Sequence, residues 1–513
     1  MSTVLAFAFA AVAASSSAAP IDIGSKLQVL WDDAVVDTNE TTASRRLHSP
    51  VYAGVAMTHG EPWEGDATSW HNIVRDRDAK GTLYRMYYTG WSCINDYLKP
   101  AKRADPLNLQ ICYAESRDGL KWTKPNLGLC LFKGSKRNNI ILDNSMWHEE
   151  WAGNLSVFKD ENPDCPPAER YKGITGREKN LNCFVSADGI HFKYGWHLIP
   201  RDGRRVMFDT QCNALWDART RTYHIYLRGH RMVPAEQRGK IFVDGQVRQV
   251  LHATSRDFRT WTPVQPLDYE SPEGEVEDYP MYTNCVFPYP RNPDLLVGLP
   301  TRYNERGWWS DNYNHLPDKA DRLVRKNREP RLALAITDCL FMCSRDGQDF
   351  FRYDEAFMRP GPERTTGWVY GSCYPARCMV ETPSAIGAAN EYSIYVVTGQ
   401  WIDRPAVLER YVIRKDGFVS RHAAYRHRKV VTKPVVYSGK EMLVNFATSA
   451  RGMMRIFVRA KGMKEPLATC WMFGDQVDRP ASFSAGELAK WAGKPVTIEF
   501  DLADADLYSF RFR

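Results

Sequence analysis

Carboxylates interleaved with tryptophan and tyrosine recur along this chain. The first group is Glu61-Pro-Trp63-Glu64-Gly-Asp66-Ala-Thr-Ser-Trp70-His71, and the second is Trp147-His148-Glu149-Glu150-Trp151. Phe208-Asp209-Thr-Gln211-Cys-Asn213 comes next, followed by Glu275-Val-Glu277-Asp278-Tyr279-Pro-Met-Tyr282-Thr-Asn284. Tyr370, Tyr374 and Arg377 close the series. This mixture suits sugar chemistry. One carboxylic acid protonates a leaving oxygen, a carboxylate acts as base or nucleophile, and aromatic faces stack on the ring. Each residue also has a plainer reading. Asp66 fits a turn cap, and Asp209 fits a hydrogen bond to a neighbouring strand. Glu277 lies in an acidic run from Glu270 to Asp278 that fits a solvated loop. His71, Trp63, Trp70 and Trp151 fit ordinary core positions.

What must position such groups is legible in a repeat. The element Ser-x-Asp-Gly-x-x-aromatic occurs as Ser116-Arg-Asp118-Gly119-Leu-Lys-Trp122 and Ser186-Ala-Asp188-Gly189-Ile-His-Phe192. It returns as Ser255-Arg-Asp257-Phe258-Arg-Thr-Trp261 and Ser344-Arg-Asp346-Gly347-Gln-Asp-Phe350. Asp-Gly between strand-like runs is a hairpin signal, with Gly supplying a positive φ, and these aspartates are read as structural. A second element precedes each hairpin: Leu83 to Gly90, Arg170 to Gly176, Thr222 to Gly229, Leu295 to Arg302 and Glu391 to Gly399. A third strand lies earlier still in each unit, as in Ser69 to Asp76 and Gln211 to Asp217. Five units of roughly 50–90 residues with about four short strands each predict an all-β, five-bladed β-propeller over 51–430. Its central funnel, lined by the start of each innermost strand, would gather the polar groups named above.

Beyond residue 430 the repeat stops. Alternating runs such as Glu441 to Thr448, Met453 to Arg459, Pro495 to Phe500 and Leu507 to Phe512 predict a small β-sandwich over 431–513. Residues 20–50 read as a lead-in segment, and the polar insertion Gly307 to Arg328, with Trp308 and Trp309, reads as a rim or lid. Met1 to Ala19 is apolar and then rich in small residues, as in a secretory signal, which predicts a secreted or periplasmic protein. If that holds, protein expressed from the full chain begins between residues 14 and 20, as N-terminal sequencing would read.

Composition sets the outer limits. Of the 513 residues, 43% are hydrophobic and 12% aromatic, which excludes disorder and favours strands. Lys+Arg 68 against Asp+Glu 61 leaves only +7, with no basic stripe, so nucleic acid is not an expected partner. No later stretch reaches the length of a membrane span. The 12 cysteines are spread without a CxxC pair and read as small core hydrophobes. No metal site fits the Cys339/Cys343 or Cys373/Cys378 spacing. No cofactor is implied, though a structural calcium on the propeller axis stays open, as does the pairing of the cysteines.

The segment Tyr113-Ala-Glu-Ser-Arg-Asp118-Gly119-Leu-Lys-Trp122-Thr-Lys-Pro125 resembles the blade hairpins of five-bladed glycoside hydrolases, the superfamily of family-43 arabinanases and xylosidases and family-32 invertase-like enzymes. A closer resemblance is to uncharacterised secreted bacterial family-32-like proteins. It rests on Trp63-Glu64-Gly65, Tyr282-Thr283-Asn284 and Asp504-Ala505-Asp506-Leu507-Tyr508-Ser509-Phe510. The resemblance implies a glycosidase with an acidic trio. Asp66 would be base or nucleophile, Asp209 would orient the substrate and raise the acid's pKa, and Glu277 would be the acid, with Asp278 and Glu275 as rivals. Trp63, Trp70, His71, Gln211, Asn213, Asp278, Tyr282, Asn284, Arg302 and Arg377 would contact a carbohydrate substrate. The invertase Asn-Asp-Pro-Asn and Arg-Asp-Pro signatures are absent, which argues against fructan hydrolysis. Two other readings use the same residues. One is a non-catalytic glycan-binding propeller. The other is a glycoside phosphorylase, with His71, Arg302 and Arg377 as its anion cluster.

Overall fold

The computed structural model describes residues 19–513 except 92–108, 144–152, 177–179, 201, 203–204, 234–245, 275–279, 307, 401–403, 461–462, 464 and 484–486. The chain divides into two compact units, Leu47–Val419 and the described part of Met1–Arg46 together with Ser420–Arg513.

Leu47–Val419 is a five-bladed β-propeller. Blade I runs outward through Ser69–Asp78, Gly81–Trp91, Leu109–Ser116 and Ile140–Asp143. Blade II uses Ser156–Lys159, Tyr171–Gly176, Asn180–Ser186 and Lys193–Pro200, and blade III Asn213–Asp217, Thr222–Met232, Gln246–Ser255 and Gln265–Pro266. Blade IV is larger. Phe287–Tyr289, Asn292–Gly298, Ala335–Ser344 and Asp349–Met358 are joined by Asp268–Glu270 and Thr301–Glu305. Blade V is built from Tyr374–Pro375, Val380–Thr382, Glu391–Thr398 and Val407–Ile413, and its outer strand is Val51–Thr58 from the start of the unit. That pairing closes the ring with chain drawn from both ends of the unit.

The repeated hairpin has one construction. Ser116, Ser186, Ser255 and Ser344 each accept the backbone N–H three residues on, and Asp118, Asp188, Asp257 and Asp346 each accept two backbone N–H groups of the turn. These aspartates therefore fix turns, and the following glycine takes φ +72, +77 and +87 at Gly119, Gly189 and Gly347. Each glycine also makes room for a neighbour. The hydroxyls of Tyr87, Tyr226 and Tyr395 donate to the carbonyls of Gly189, Gly347 and Gly119 in the next blade round the ring. A Cβ at Gly189 would lie 2.9 Å from Tyr87 Oη.

The exception is consistent with this rule. In blade II the position matching Tyr87 and Tyr226 in strand register is Ile174, which cannot donate. Opposite it, blade III carries Phe258 instead of glycine, at φ +59. Phe258 is fully buried in one cluster with Ile174 and lies 5.4 Å from Phe158 and 5.0 Å from Tyr223. A ring thus replaces a tyrosine hydroxyl, and its apolar burial offsets the left-handed backbone.

The insertion in blade IV forms a 3-10 turn at Asp311–Asn314 and helices at Lys319–Arg328 and Arg331–Leu334. It is pinned by Arg322, whose buried guanidinium donates to the carbonyls of Ala333 and Trp368. Every described cysteine is a free thiol, and all but Cys378 are buried.

In the other unit ten strands join in one hydrogen-bonded network. Met442–Ala460 and Val496–Phe512 pair along most of their length, and Ile21–Gly24 adds in parallel to Val435–Tyr437. Alternation along Met454, Ile456 and Val458, and along Val496, Ile498, Phe500 and Leu502, sends these side chains to a common core.

The Phe258 arrangement makes a specific forecast. Phe258→Gly restores the motif and relieves the backbone, yet it removes a buried ring that no tyrosine replaces. It should destabilise the protein by about 2–4 kcal/mol in chemical denaturation. Gly189→Ala, which adds a Cβ against Tyr87 at positive φ, should cost about 1–3 kcal/mol.

Candidate functional site

Around the axis, polar side chains tie one blade to the next. Asn72 exchanges hydrogen bonds with the backbone of Val157 (2.8 and 2.7 Å), and Ser156 Oγ donates to Asn213 Oδ1 at 2.9 Å. Asn213 Nδ2 donates to Asn284 Oδ1 at 2.5 Å. Arg377 donates to the carbonyls of Val286 (3.1 Å) and Ala214 (2.9 Å), and Gln211 donates to those of Trp70 (3.0 Å) and His71 (3.2 Å). All are buried. Gln211, Asn213, Asn284 and Arg377, expected as substrate contacts, therefore have protein partners and serve the frame. The reason is physical: backbone groups buried where five sheets converge must find partners, and these side chains supply them.

Arg302 is likewise engaged, forking onto both oxygens of Asp338 at 2.9 and 2.6 Å. Trp63 Nε1 donates to Asn139 Oδ1 at 2.6 Å, and its ring packs edge-on against Phe132. His71 sits in a closed cluster. Its Nε2 is 3.0 Å from His59 Nε2, and its ring stacks on Tyr88 at 5.3 Å. His59 Nδ1 lies 3.5 Å from Glu64, which also accepts from Tyr88 and Lys124 at 2.7 and 2.8 Å. Burial would raise the Glu64 carboxyl, but His59 and Lys124 hold it at about 2. Burial pushes both His59 and His71 below the usual imidazole value.

Four blades contribute to a different cluster. Trp70 adopts φ +57 within a register irregularity of Ser69–Asp78, the kind of bulge that re-aims a side chain. Its ring stacks near-parallel on Tyr374 of blade V (5.4 Å) and on Tyr282, which leads into blade IV (6.0 Å). Tyr282 stacks in turn on Tyr374 and Tyr303, both at 5.6 Å, and its hydroxyl is 2.9 Å from that of Tyr370. Asp209 precedes the first strand of blade III. The next residue, Thr210, donates to the Tyr282 carbonyl at 3.1 Å, which fixes this turn against the aromatic group.

The charge here comes from arginine. Arg228, in the second strand of blade III, donates through Nη2 to Asp209, and its guanidinium lies 5.1 Å from the Tyr282 ring centre. Arg248, in the third strand, lies 4.8 Å from the Tyr303 ring and 5.6 Å from the Tyr282 ring. Burial would raise Asp209, but Arg228 outweighs it and keeps the carboxyl below its usual value. It is therefore an ionised carboxylate, with 39% of its side chain exposed. Burial would also raise the Tyr282 phenol, yet Arg228, Arg331 and Arg248 pull it below its usual value against the opposing charge of Asp209.

Of the expected site residues, the structure thus brings Trp70, Asp209 and Tyr282 together. Asp66 is buried on the loop that leads to Trp70. Glu277, with Glu275 and Asp278, lies outside the described residues, as do Trp147 to Trp151. Arg228 and Arg248 were missed, although a signal for the first exists. The residue before the glycine of the second repeated element is Thr89, Thr175 or Thr398 in three blades and Arg228 in blade III.

No protein-family model and no curated protein matches the chain. Among solved structures, an N-acetylgalactosamine deacetylase from F. plautii in complex with blood group B trisaccharide covers 74% of this chain and 96% of its own, at 11% identity and TM-score 0.43. A fructofuranosidase from Schwanniomyces occidentalis complexed with fructosylnystose covers 93% and 99%, at 11% and 0.37. An endo-arabinase from Bacteroides thetaiotaomicron covers 72% and 99%, at 12% and 0.33. Likeness at this level assigns neither an activity nor a residue role.

The buried histidines give a pH dependence. Their folded pKa values lie below 6.5, so under pH 6.5 the unfolded chain binds more protons than the folded one. Their contribution is complete above that pH and falls as pH drops, by up to about 1.4 kcal/mol per pH unit for each histidine. Glu64, also lowered, loses its contribution only between about 4.5 and 2. Denaturation at pH 7, 5.5 and 4 should show the first loss already at pH 5.5, and His71→Phe should flatten it.

Proposed function

We propose that the protein is a glycoside hydrolase that cleaves a poly- or oligosaccharide in the propeller funnel. The supporting observation is the meeting of Trp70, Asp209, Tyr282 and Tyr374, drawn from blades I, III, IV and V. We read this buried group of near-parallel aromatic rings, with an ionised carboxylate beside it, as the floor of a sugar subsite.

In this reading Asp209 does not donate the proton, because Arg228 keeps it ionised. It orients the substrate, and its negative charge raises the pKa of a neighbouring acid. Glu277 is that acid and Asp66 the base. We favour inversion, in which a water between the two carboxyl groups attacks and the pair stands about 6.5–9.5 Å apart. Gln211, Asn213, Asn284 and Arg377 hold the frame beneath. We further infer export through the N-terminal segment and read the C-terminal sheet as a β-sandwich accessory module.

The test is a polysaccharide panel with product detection. A neutral or acidic glycan should yield products whose anomeric configuration is inverted. Asp66→Asn and Glu277→Gln should each lower kcat by about 10²–10⁴ while melting like the parent protein. Product formation by Asp66→Asn at the parent rate would remove Asp66 from its role. The absence of products from every glycan would remove the hydrolase reading.

A further inference from the structure

Several buried or half-buried arginines elsewhere in the propeller spend their donors on acceptors. Arg302 forks onto Asp338, Arg85 donates to Asp76, Arg352 to Asp354, and Arg377 to two carbonyls. Arg228 and Arg248 differ from these four, and they share with Arg322, Arg325 and Arg331 of the blade IV insertion a guanidinium nitrogen that finds no acceptor. Arg228 is 4% exposed and spends one nitrogen on Asp209, while its Nε and Nη1 have no acceptor. The Nε of Arg248 has none either, and among the described residues no carboxylate pairs with that guanidinium. A buried N–H without an acceptor is costly, and such a group in a native fold calls for an explanation. Three such donors on two arginines, from adjacent strands of one blade, point to an acceptor that arrives from outside.

The surroundings specify what arrives. Both guanidiniums lie over tyrosine rings, Arg228 over Tyr282 and Arg248 over Tyr303 and Tyr282. That contact satisfies the cation's faces and leaves its N–H donors to the side, where a planar fork matches an oxyanion with two acceptor oxygens. The field in the cluster is positive, since Arg228, Arg331 and Arg248 together depress the Tyr282 phenol despite burial and the nearby Asp209. An ordinary neutral sugar would leave that field unanswered. Trp70 and Tyr374 extend the same stack of rings, so an anion here would be carried on a ring that stacks beside it.

We propose that this site takes an acidic glycan, with a carboxylate or sulfate ester on the bound sugar held by Arg228 and Arg248. The proposal deepens the hydrolase reading and rests on it for the location of the sugar. Arg248 acts as a specificity residue, because it is half-buried and its guanidinium rests on tyrosine rings with no carboxylate partner among the described residues.

Binding and turnover are measured separately on the full chain. The probes are polygalacturonate and its carboxyl-reduced product, and a sulfated galactan and its desulfated product. At least one acidic member should bind about tenfold or more tightly than its neutral counterpart, and the difference should shrink with added salt. Arg248→Gln should remove that preference, with binding of the acidic member falling to the level of its neutral counterpart in a protein that still unfolds cooperatively. Arg228→Lys, which keeps the charge but loses the fork, should weaken acidic binding in part. Acidic preference without cleavage would support the anion site and overturn the hydrolase reading. Equal binding of both members of each pair, or binding of none, would overturn the anion site. So would turnover of neutral glycans only with inorganic phosphate, since the arginines would then hold the attacking phosphate and not the sugar.

Discussion

Closing a ring of five sheets forces backbone polar groups of the innermost strands into a space that side chains must fill. The belt of Asn72, Asn213, Asn284, Gln211 and Arg377 answers that requirement with hydrogen bonds from blade to blade. The aromatic cluster rests on it. Gln211 holds the carbonyls of Trp70 and His71, while Thr210 holds that of Tyr282. The two residues that flank Asp209 on its C-terminal side thus anchor segments from blades I and IV. A carboxylate at this turn is positioned against the aromatic group by the same bonds that close the ring.

The outer part of each blade follows a second constraint, steric where the first is polar. Blades pack side by side through a turn whose glycine carbonyl receives a tyrosine hydroxyl, and the glycine is needed because a Cβ would crowd the neighbouring blade, 2.9 Å from Tyr87 Oη at Gly189 and 2.5 Å from His224 Nδ1 at Gly347. Ile174 and Phe258 show that the two positions vary together. Where the hydroxyl is lost, the space is refilled with a ring, and the backbone keeps the left-handed turn even without glycine. Packing outweighs local preference at that site.

The fold was largely legible because its constraints repeat. The four Ser-x-Asp hairpins and five preceding strands give the blade count directly. Val51–Thr58 was harder to place in blade V, because its partner, Val407–Ile413, lies far along the sequence and its alternation suits any outer strand. The site was legible only in part, for a related reason. Polar residues at the starts of inner strands face the axis whether their partner is a blade or a ligand, and type and spacing do not separate the two. Trp70, Asp209 and Tyr282 meet, whereas Asn213, Asn284, Gln211 and Arg377 bind the frame. Arg248 carried no signal at all, since only the third dimension sets it over Tyr303.

A repeat protein offers one further clue, which Arg228 illustrates. Equivalent positions in a propeller experience equivalent packing, so a residue that departs from its counterparts has escaped the common structural requirement or answers another one. Phe258 departs and is compensated by Ile174, so its departure is structural. Arg228 departs from the threonines of three other blades, and its compensation is incomplete. Asp209 takes one of its nitrogens and Tyr282 faces its plane, but two donors have no acceptor. Sorting broken repeat positions by whether a neighbour restores the balance separates packing variants from residues with unspent donors, and in this propeller it leads to the turn that carries Asp209.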